Sequence, residues 1–140
     1  MIVKNEEKHI TRCLDSVAGL VEEIIIVDTG STDQTAEIAS NYTSDIYTYP
    51  WKDDFADARN YSFSKASMDY CMWMDADDIL EKSEHGKFLQ LKQSLPPDTD
   101  IVMMKYHTSF DEAGRPSFSY FRERWVRKCA QYRWVGAVHE

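Results

Sequence analysis

The chain has 140 residues, a formal net charge of −8 and a sequence pI near 5.0. This length is sufficient for one compact domain with a hydrophobic core. The acidic balance argues against a nucleic acid or an anionic membrane surface as the main partner, although a bound divalent metal would still allow a phosphorylated small molecule to bind.

The cysteines and the apolar runs bear on the compartment. Cys13, Cys71 and Cys129 are widely spaced among apolar neighbours, which fits neither a disulfide framework nor a zinc site, so we interpret them as buried thiols in a reducing compartment. No apolar run reaches the length of a membrane span and no secretory signal is recognisable, which favours a cytoplasmic protein. Both ends are abrupt, and we expect the chain to be a piece of a longer protein.

Helical and strand patterns alternate in the N-terminal part of the chain. Apolar residues recur at helical spacing over 6–21, and Asn5 is well placed to cap that helix. The run EIIIVD, which ends at Asp28, predicts a strand buried on both faces. Ser31 and the glutamine three residues later form a capping-box pattern, which predicts a helix to about Ser40.

The same alternation continues as far as a pair of prolines at 96 and 97. DIYTYP predicts a strand over 45–50, a helix is expected over 55–66, and YCMWM predicts a third buried strand over 70–74. A further helix over 83–95 ends at the prolines. This βαβαβ order with short links predicts a parallel sheet with helices on both faces.

The last third of the chain has a different pattern. Residues 101–110 and 116–127 predict two strands joined by a turn at DEAGRP. Residues 131–138, QYRWVGAV, are expected to add another strand. The sequence therefore predicts an α/β fold with a mostly parallel sheet, helices on both faces, and antiparallel strands in the C-terminal third.

An acidic cluster, MDADD, follows the third predicted strand. Because side chains alternate along a strand, Asp75 and Asp77 are expected to point the same way and Ala76 toward the packed side. Gathered carboxylates repel one another, so a cation is expected there. Mg²⁺ or Mn²⁺ suits such a pair at the edge where open α/β sheets bind ligands, and Asp78 could assist. The alternative is a solvated turn with a helix cap.

A second polar motif, VDTGSTD, ends the first long strand. Asp28 is expected at the same sheet edge as the acidic cluster, and Gly30 would let the backbone approach a ligand. A carboxylate there can accept hydrogen bonds from a base imide or a ribose hydroxyl. The alternative is a helix-capping turn, which explains residues 31–33 well but Asp28 poorly.

Arg59, in the motif DFADARN, is the third candidate. Early in its helix, it would face the same edge, where a guanidinium can bind a diphosphate through two hydrogen bonds or hold the acidic cluster in place. The alternative is a surface arginine paired with Asp57 or Asp53.

Together these segments resemble family 2 glycosyltransferases of the GT-A fold. In family order, the residues that carry the resemblance are MIVKNEE, EIIIVDTGSTDQT, DDFADARNYSFSKA and MWMDADD, and the later RERWVRK and YRWVGAVHE resemble the closing motifs of one bacterial branch. The resemblance implies a single GT-A domain over residues 1–140, with a nucleotide-binding half at 1–95 and the start of an acceptor-side half at 96–140.

The resemblance also implies a nucleotide-sugar donor, often linked to UDP, and a divalent metal, Mn²⁺ or Mg²⁺. Asp28 would contact the uracil or ribose, and the backbone around Val3 and Lys4 would line the base pocket. Arg59 with Asn60 would lie near the base and the diphosphate.

The metal site follows from the same resemblance. Asp75 and Asp77 would be the DxD pair, one reaching the ribose or metal and the other holding the metal, and His139 would complete the metal shell. An imidazole ligand suits Mn²⁺ better than Mg²⁺; the alternative for His139 is a polar chain end. Thr29 stands where many family members have a second acid, a departure that bears on the base contact.

The implied reaction inverts the anomeric centre, so a carboxylate must take the acceptor's proton, and Glu140 is the candidate by position. The acceptor could be a saccharide, a lipid-linked molecule or a protein. Arg124 and Arg127 could stabilise the leaving diphosphate or serve as cross-strand partners of Glu123. Trp125 and Trp134 could stack on a sugar or be buried.

Two other functions are compatible with parts of this pattern. A sugar-phosphate nucleotidyltransferase also uses a parallel sheet and paired acids, but usually has a glycine-rich basic loop after its first strand, where this chain has VKNEE. A non-catalytic nucleotide-sugar-binding fragment would keep the donor motifs without the full acceptor site.

Overall fold

The computed structural model describes residues 1–137. It contains the following helices and strands: β1 Ile2–Val3, α1 Ile10–Asp15, β2 Ile26–Asp28, α2 Thr35–Ala39, β3 Ile46–Thr48, α3 Phe55–Lys65, β4 Tyr70–Met72, α4 His85–Ser94, β5 Ile101–Phe110 and β6 Pro116–Arg127. Single turns of 3₁₀ helix precede α4 and follow β6.

The strands form two sheets. The first is parallel with the order β1-β2-β3, and pairs Val3 with Asp28 and Asp28 with Thr48. The second is antiparallel with the order β4-β6-β5. The predicted α/β fold, parallel in its first part and antiparallel in its last third, is confirmed.

The third predicted strand pairs differently from the prediction. β4 ends at Met72 and hydrogen-bonds antiparallel to β6, with Cys71 opposite Val126. β1 has two residues and pairs with β2 alone among the described strands. A cavity of about 1110 Å³ is lined by residues next to both strands, among them Met1, Ile25 and Cys71.

Two helices begin later than predicted. Asn5 does not cap α1, because its backbone is left-handed with φ 56° and its Oδ1 accepts a hydrogen bond from Thr32 N at 2.8 Å. Ser31 does not cap α2, because its hydroxyl accepts from Asn5 N at 2.9 Å. The two predicted caps instead fasten the loop after β1 to the loop after β2. α3 begins as predicted, where Asp54 accepts from Asp57 N at 3.0 Å.

The core consists of two apolar clusters. The first joins the parallel sheet to α1 and α2 and contains Val3 and Ala76. The second lies under the antiparallel sheet, where Phe88 of α4 packs edge-on against Trp125 with ring centroids 5.0 Å apart. Ala76, expected on the packed side, is 5% exposed, so the acidic cluster is anchored beside the end of β1.

Three smaller expectations have mixed outcomes. Cys13 and Cys71 are buried as predicted, but Cys129 is exposed in the 3₁₀ turn after β6. The strand predicted over 131–138 is wrong for its described part, because residues 131–137 are attached to α3 by separate contacts rather than by a ladder. No helix within residues 1–137 has the length and apolar character needed to cross a membrane.

Candidate active site

The acidic cluster lies in a tight turn, not on a strand. Asp78 N donates to Asp75 O at 3.1 Å, and Asp78 Oδ2 accepts from Asp75 N at 3.0 Å. We call residues 75–78 the acid turn. Because strand alternation does not apply here, its three carboxylates have different environments: Asp75 is half-buried, Asp78 is buried and Asp77 is exposed.

Asp75 is paired with Arg59. Arg59 Nη2 donates to Asp75 Oδ1 at 3.1 Å, and the arginine is 8% exposed. Its guanidinium carbon lies 4.5 Å from the ring centroid of Trp73 and 4.8 Å from that of Trp134. Burial lowers the pKa of Arg59, while the charge of Asp75 opposes this change. Arg59 therefore holds the acidic cluster in place, as one of its two predicted roles requires.

The surface-pair alternative for Arg59 is wrong. The carboxylate of Asp57 instead accepts hydrogen bonds from Tyr49 and Lys52, at 2.6 Å and 3.0 Å. Asp53 accepts from the indole of Trp51 at 2.8 Å.

Asp78 is committed to a buried ion pair. Arg124 Nη1 donates to Asp78 Oδ2 at 2.7 Å and to Trp73 O at 3.2 Å. The same guanidinium lies 4.2 Å from the Trp73 ring and 4.6 Å from the Tyr106 ring. Burial and the nearby Asp78 raise the pKa of Tyr106 from 10.0 to about 12. Arg124 is thus a structural partner of the acid turn, a role not identified from the sequence.

The clustered acids are balanced by the protein's own cations. Arg59 and Arg124 compensate Asp75 and Asp78, and Arg122 places a third guanidinium 4.7 Å from the Trp73 ring. The cation expected from carboxylate repulsion is therefore supplied in part by arginine side chains.

Asp28 lies at the end of β2, beside Val3. Its Oδ1 accepts from Gly30 N at 2.9 Å and from Ser31 N at 2.7 Å, where the backbone of Gly30 has φ 114°. Asp28 thus closes a tight turn but does not cap a helix, because α2 begins only at Thr35. Within residues 1–137 the second carboxylate oxygen accepts no hydrogen bond, so a turn and a ligand contact are compatible at this residue.

Val3 and Thr29 close the same corner. Val3 O accepts both from Thr29 N at 3.0 Å and from its hydroxyl at 3.1 Å, and both residues are buried. Thr29 therefore joins the ends of β1 and β2. This contact gives a local reason for a hydroxyl at position 29.

A family model described as glycosyl transferase family 2 matches residues 1–134. The chain belongs to that family. The resemblance in the motifs is thereby confirmed, and so is the GT-A type of fold.

Curated relatives of this family 2 glycosyltransferase chain are considerably longer than it is. It is 36% identical to the SPbeta prophage-derived glycosyltransferase SunS of Bacillus subtilis over 143 aligned residues. The alignment covers 100% of this chain and 33% of SunS. It is 41% identical over 80 residues to the TPR repeat-containing protein Synpcc7942_0270 of Synechococcus elongatus, 57% of this chain and 20% of that one. The chain thus spans between a fifth and a third of the length of these relatives.

Solved structures show the same fold. Glucosyl-3-phosphoglycerate synthase from Mycobacterium tuberculosis, in complex with UDP, superposes with a TM-score of 0.62 at 24% identity, over 77% of this chain and 43% of that chain. The same enzyme in complex with Mn²⁺ and UDP-glucose gives a TM-score of 0.57 at 22% identity, over 79% and 42% of the two chains.

The remaining predicted site residues of the family 2 chain have separate outcomes. Asn60 was expected near the base and diphosphate, but both ends of its amide are used by the backbone of Trp134, as donor to O and acceptor from N at 2.9 Å each. The place of Asn60 near the base and the diphosphate stays a prediction. His139 and Glu140 lie outside the described residues.

The secondary candidates are mostly structural. Arg127 donates to Tyr70 Oη and Thr99 O, far from the acid turn. Trp125 is 5% exposed in the second core cluster, and Trp134 packs on Arg59.

A divalent metal is compatible with the acid turn. Within residues 1–137, no three His, Cys, Asp or Glu side chains are arranged to hold a metal ion by themselves. Asp77 is exposed, and the side chain of Asp75, whose Oδ1 accepts from Arg59, is 26% exposed, so solvent reaches both side chains. Mg²⁺ is commonly bound by one or two carboxylates together with substrate phosphates, and Mn²⁺ accepts the same donors. The described residues fit such an ion.

Proposed function

We propose that this chain is the donor-binding part of a glycosyltransferase that moves a sugar from a nucleotide-sugar, UDP-linked, to an acceptor hydroxyl. One observation carries the proposal: Ala76 of the acid turn packs in the same core cluster as Val3, whose strand partner is Asp28. The acid turn and the strand pair that carries the base-side carboxylate are therefore attached to one core cluster, at the carboxyl end of β1 and β2, where α/β folds bind ligands.

The proposed donor contacts follow from these environments. Asp28 uses its free oxygen to accept a hydrogen bond from the uracil imide or a ribose hydroxyl, and the backbone of Val3 lines the base pocket. Arg59, held by Asp75, presents its remaining N–H donors to the diphosphate. The crystal structures of the M. tuberculosis enzyme with UDP and with UDP-glucose support a donor of this class.

The residues proposed to hold a divalent ion are Asp77 and Asp75, with His139 as a third ligand. The ion, when bound, neutralises charge on the departing nucleoside diphosphate. Asp77 is exposed and Asp75 is partly exposed beside Arg59, whereas the side chain of Asp78 is 6% exposed in its pair with Arg124 and is therefore not proposed as a ligand.

The proposed reaction is an inverting displacement. The acceptor oxygen bonds to C1 of the sugar as the bond from C1 to the diphosphate oxygen breaks, and the acceptor proton passes to a carboxylate. Glu140 is the proposed base. Arg59 stabilises the negative charge that appears on the leaving group.

Thermal-shift and calorimetric titration with UDP, with and without Mn²⁺, test this proposal. UDP with Mn²⁺ is expected to raise the melting temperature of the wild type, and Asp77→Asn is expected to remove the Mn²⁺-dependent part while remaining folded. The matched control is Asp98→Asn, an exposed acid in the loop before β5. An unchanged Mn²⁺-dependent shift in Asp77→Asn would contradict the assignment.

Two further assays separate the alternative functions. UDP binding without hydrolysis or transfer of any donor sugar would identify a non-catalytic binding fragment, which the short span relative to the relatives makes a serious alternative. Release of pyrophosphate from a nucleoside triphosphate and a sugar phosphate would identify a nucleotidyltransferase.

A further inference from the structure

Residues 131–137 run across α3 with little burial of their own. Every residue in this segment except Trp134 is exposed, and none belongs to a helix or strand. Because this segment buries so little apolar surface, its position depends on specific hydrogen bonds and ring contacts. We call residues 131–137 the strap.

The first such contact is made by Asn60, in the middle of α3. Its Nδ2 donates to Trp134 O and its Oδ1 accepts from Trp134 N, each at 2.9 Å, across 74 positions of sequence. One side-chain amide therefore satisfies both backbone groups of a single residue, as a neighbouring strand would. A second contact joins Phe55 N, in the first turn of α3, to Ala137 O at 3.2 Å.

The strap places an indole against the cation of the site. Trp134 and Trp73 lie nearly perpendicular, at 89° with centroids 5.3 Å apart, and the Arg59 guanidinium carbon lies 4.8 Å from the first ring and 4.5 Å from the second. The edge of Trp134 is further packed against Phe63, at 6.0 Å. We call the two hydrogen bonds from the Asn60 side chain to the Trp134 backbone the clamp. Arg59 directly precedes Asn60 on α3, so the clamp and the guanidinium are carried by one rigid helix.

We propose that Asn60 is a positioning residue: it fastens Trp134 onto Arg59 and so holds the guanidinium where it pairs with Asp75 and receives the donor diphosphate. This inference rests on the proposed function, because it takes Arg59 as the diphosphate contact. An arginine has many rotamers, and fixing one before the ligand arrives removes an entropic cost from binding. Without the clamp, one face of the guanidinium opens to water and its orientation is no longer determined.

A double-mutant cycle on UDP affinity tests the inference. Asn60→Ala removes the clamp, and Trp134→Leu removes the indole while leaving the backbone groups for the clamp. Each is expected to weaken UDP binding about tenfold, and the double variant also about tenfold, because both changes break one chain of contacts. Asn41→Ala is the matched control, since Asn41 only donates to Ile38 O at the exposed end of α2.

The measurement is isothermal titration calorimetry well below the melting temperature, with the fitted stoichiometry reporting the folded fraction. A merely structural role would lower the melting temperature and leave the affinity of the folded protein unchanged. If Asn60→Ala does not fold, Trp134→Leu carries the test through its own loss of affinity.

The outcomes are distinguishable. Wild-type affinity in the folded Asn60→Ala and Trp134→Leu proteins, or losses that multiply in the double variant, would overturn the positioning role and leave the proposed function standing. No binding of UDP by the wild type would overturn both.

Discussion

Asp78 and Arg124 form an ion pair at 2.7 Å in which the two side chains are 6% and 8% exposed. A buried pair of this kind can contribute little by itself, but losing one partner leaves an uncompensated charge in the interior. We therefore expect Arg124→Met to lower the free energy of unfolding by about 3–5 kcal/mol, measured by urea denaturation. Arg124→Met with Asp78→Asn is expected to recover part of that loss.

The control for this pair is Lys87→Met, which breaks the exposed pair between Lys87 on α4 and Glu84 in the preceding 3₁₀ turn. Little change is expected there, because exposed pairs are screened by solvent. Equal losses from Arg124→Met and Lys87→Met would show that the acid turn does not depend on its buried cation.

Asp28 has a turn-closing oxygen and a second oxygen proposed for the ligand, and two substitutions separate these roles. Asp28→Asn keeps an acceptor for the N–H groups of Gly30 and Ser31 but loses the charge, so we expect a near-normal melting temperature and weaker UDP binding. Asp28→Ala also leaves the N–H groups of Gly30 and Ser31 without an acceptor, and is expected to lower the free energy of unfolding by about 1–3 kcal/mol. Equal UDP affinity in wild type and Asp28→Asn would exclude the carboxylate as a base or ribose contact.

Arg59→Lys tests whether a guanidinium is required. Lysine keeps the charge but lacks the planar fork that pairs with carboxylates and phosphates and packs on indole rings. We expect a clear loss of UDP affinity in calorimetry, and no loss in the control Arg12→Lys, on the exposed side of α1. Full affinity in Arg59→Lys would show that Arg59 supplies charge alone.

The cysteines should differ in reactivity. Burial raises the pKa of Cys13 to about 12 and also raises that of Cys71, whereas Cys129 is exposed. At pH 8, iodoacetamide is expected to label Cys129 in the native protein and all three residues in urea, as read by peptide mass spectrometry. Rapid labelling of Cys13 without denaturant would contradict its burial and the contact of its thiol with Asp75 O.

The raised pKa of Tyr106 predicts a loss of stability at alkaline pH. Its pKa is raised from 10.0 to about 12 in the folded protein, chiefly by burial, so the folded state holds the proton more tightly than the unfolded state. The contribution of this proton to the free energy of unfolding is complete below pH 10 and is lost as the pH rises toward about 12. Tyr106→Phe is expected to flatten the fall in melting temperature over this range, whereas Tyr132→Phe, at an exposed residue, is not.

Local sequence patterns predicted the elements well. The bounds of β5 and β6 match residues 101–110 and 116–127, and α3 ends within one residue of its expected end. These segments have strong periodicity and clear turn or cap residues at their ends. β4 was predicted two residues too long because an apolar run does not reveal where the backbone turns.

Contacts between distant residues could not be predicted in the same way. Asp78 meets Arg124 across 46 positions, and Asn60 meets Trp134 across 74. Neither periodicity nor motif spacing encodes such pairs, which depend on how β6 pairs with β4 and on how the strap contacts α3. The conformation of Asn5 was missed for a related reason: its side chain bonds to a loop 27 positions away and not to its own helix.

Three guanidinium groups surround one indole at the acid turn: Arg59, Arg122 and Arg124 lie 4.5, 4.7 and 4.2 Å from the Trp73 centroid. With three aspartates in the turn, this corner is close to electroneutral although the chain carries a net charge of −8. Replacing one acid there leaves surplus positive charge, so Asp77→Asn should bind UDP more tightly than wild type in a chelator and more weakly in Mn²⁺. One substitution would thus convert an ion-dependent nucleotide site into an ion-independent one.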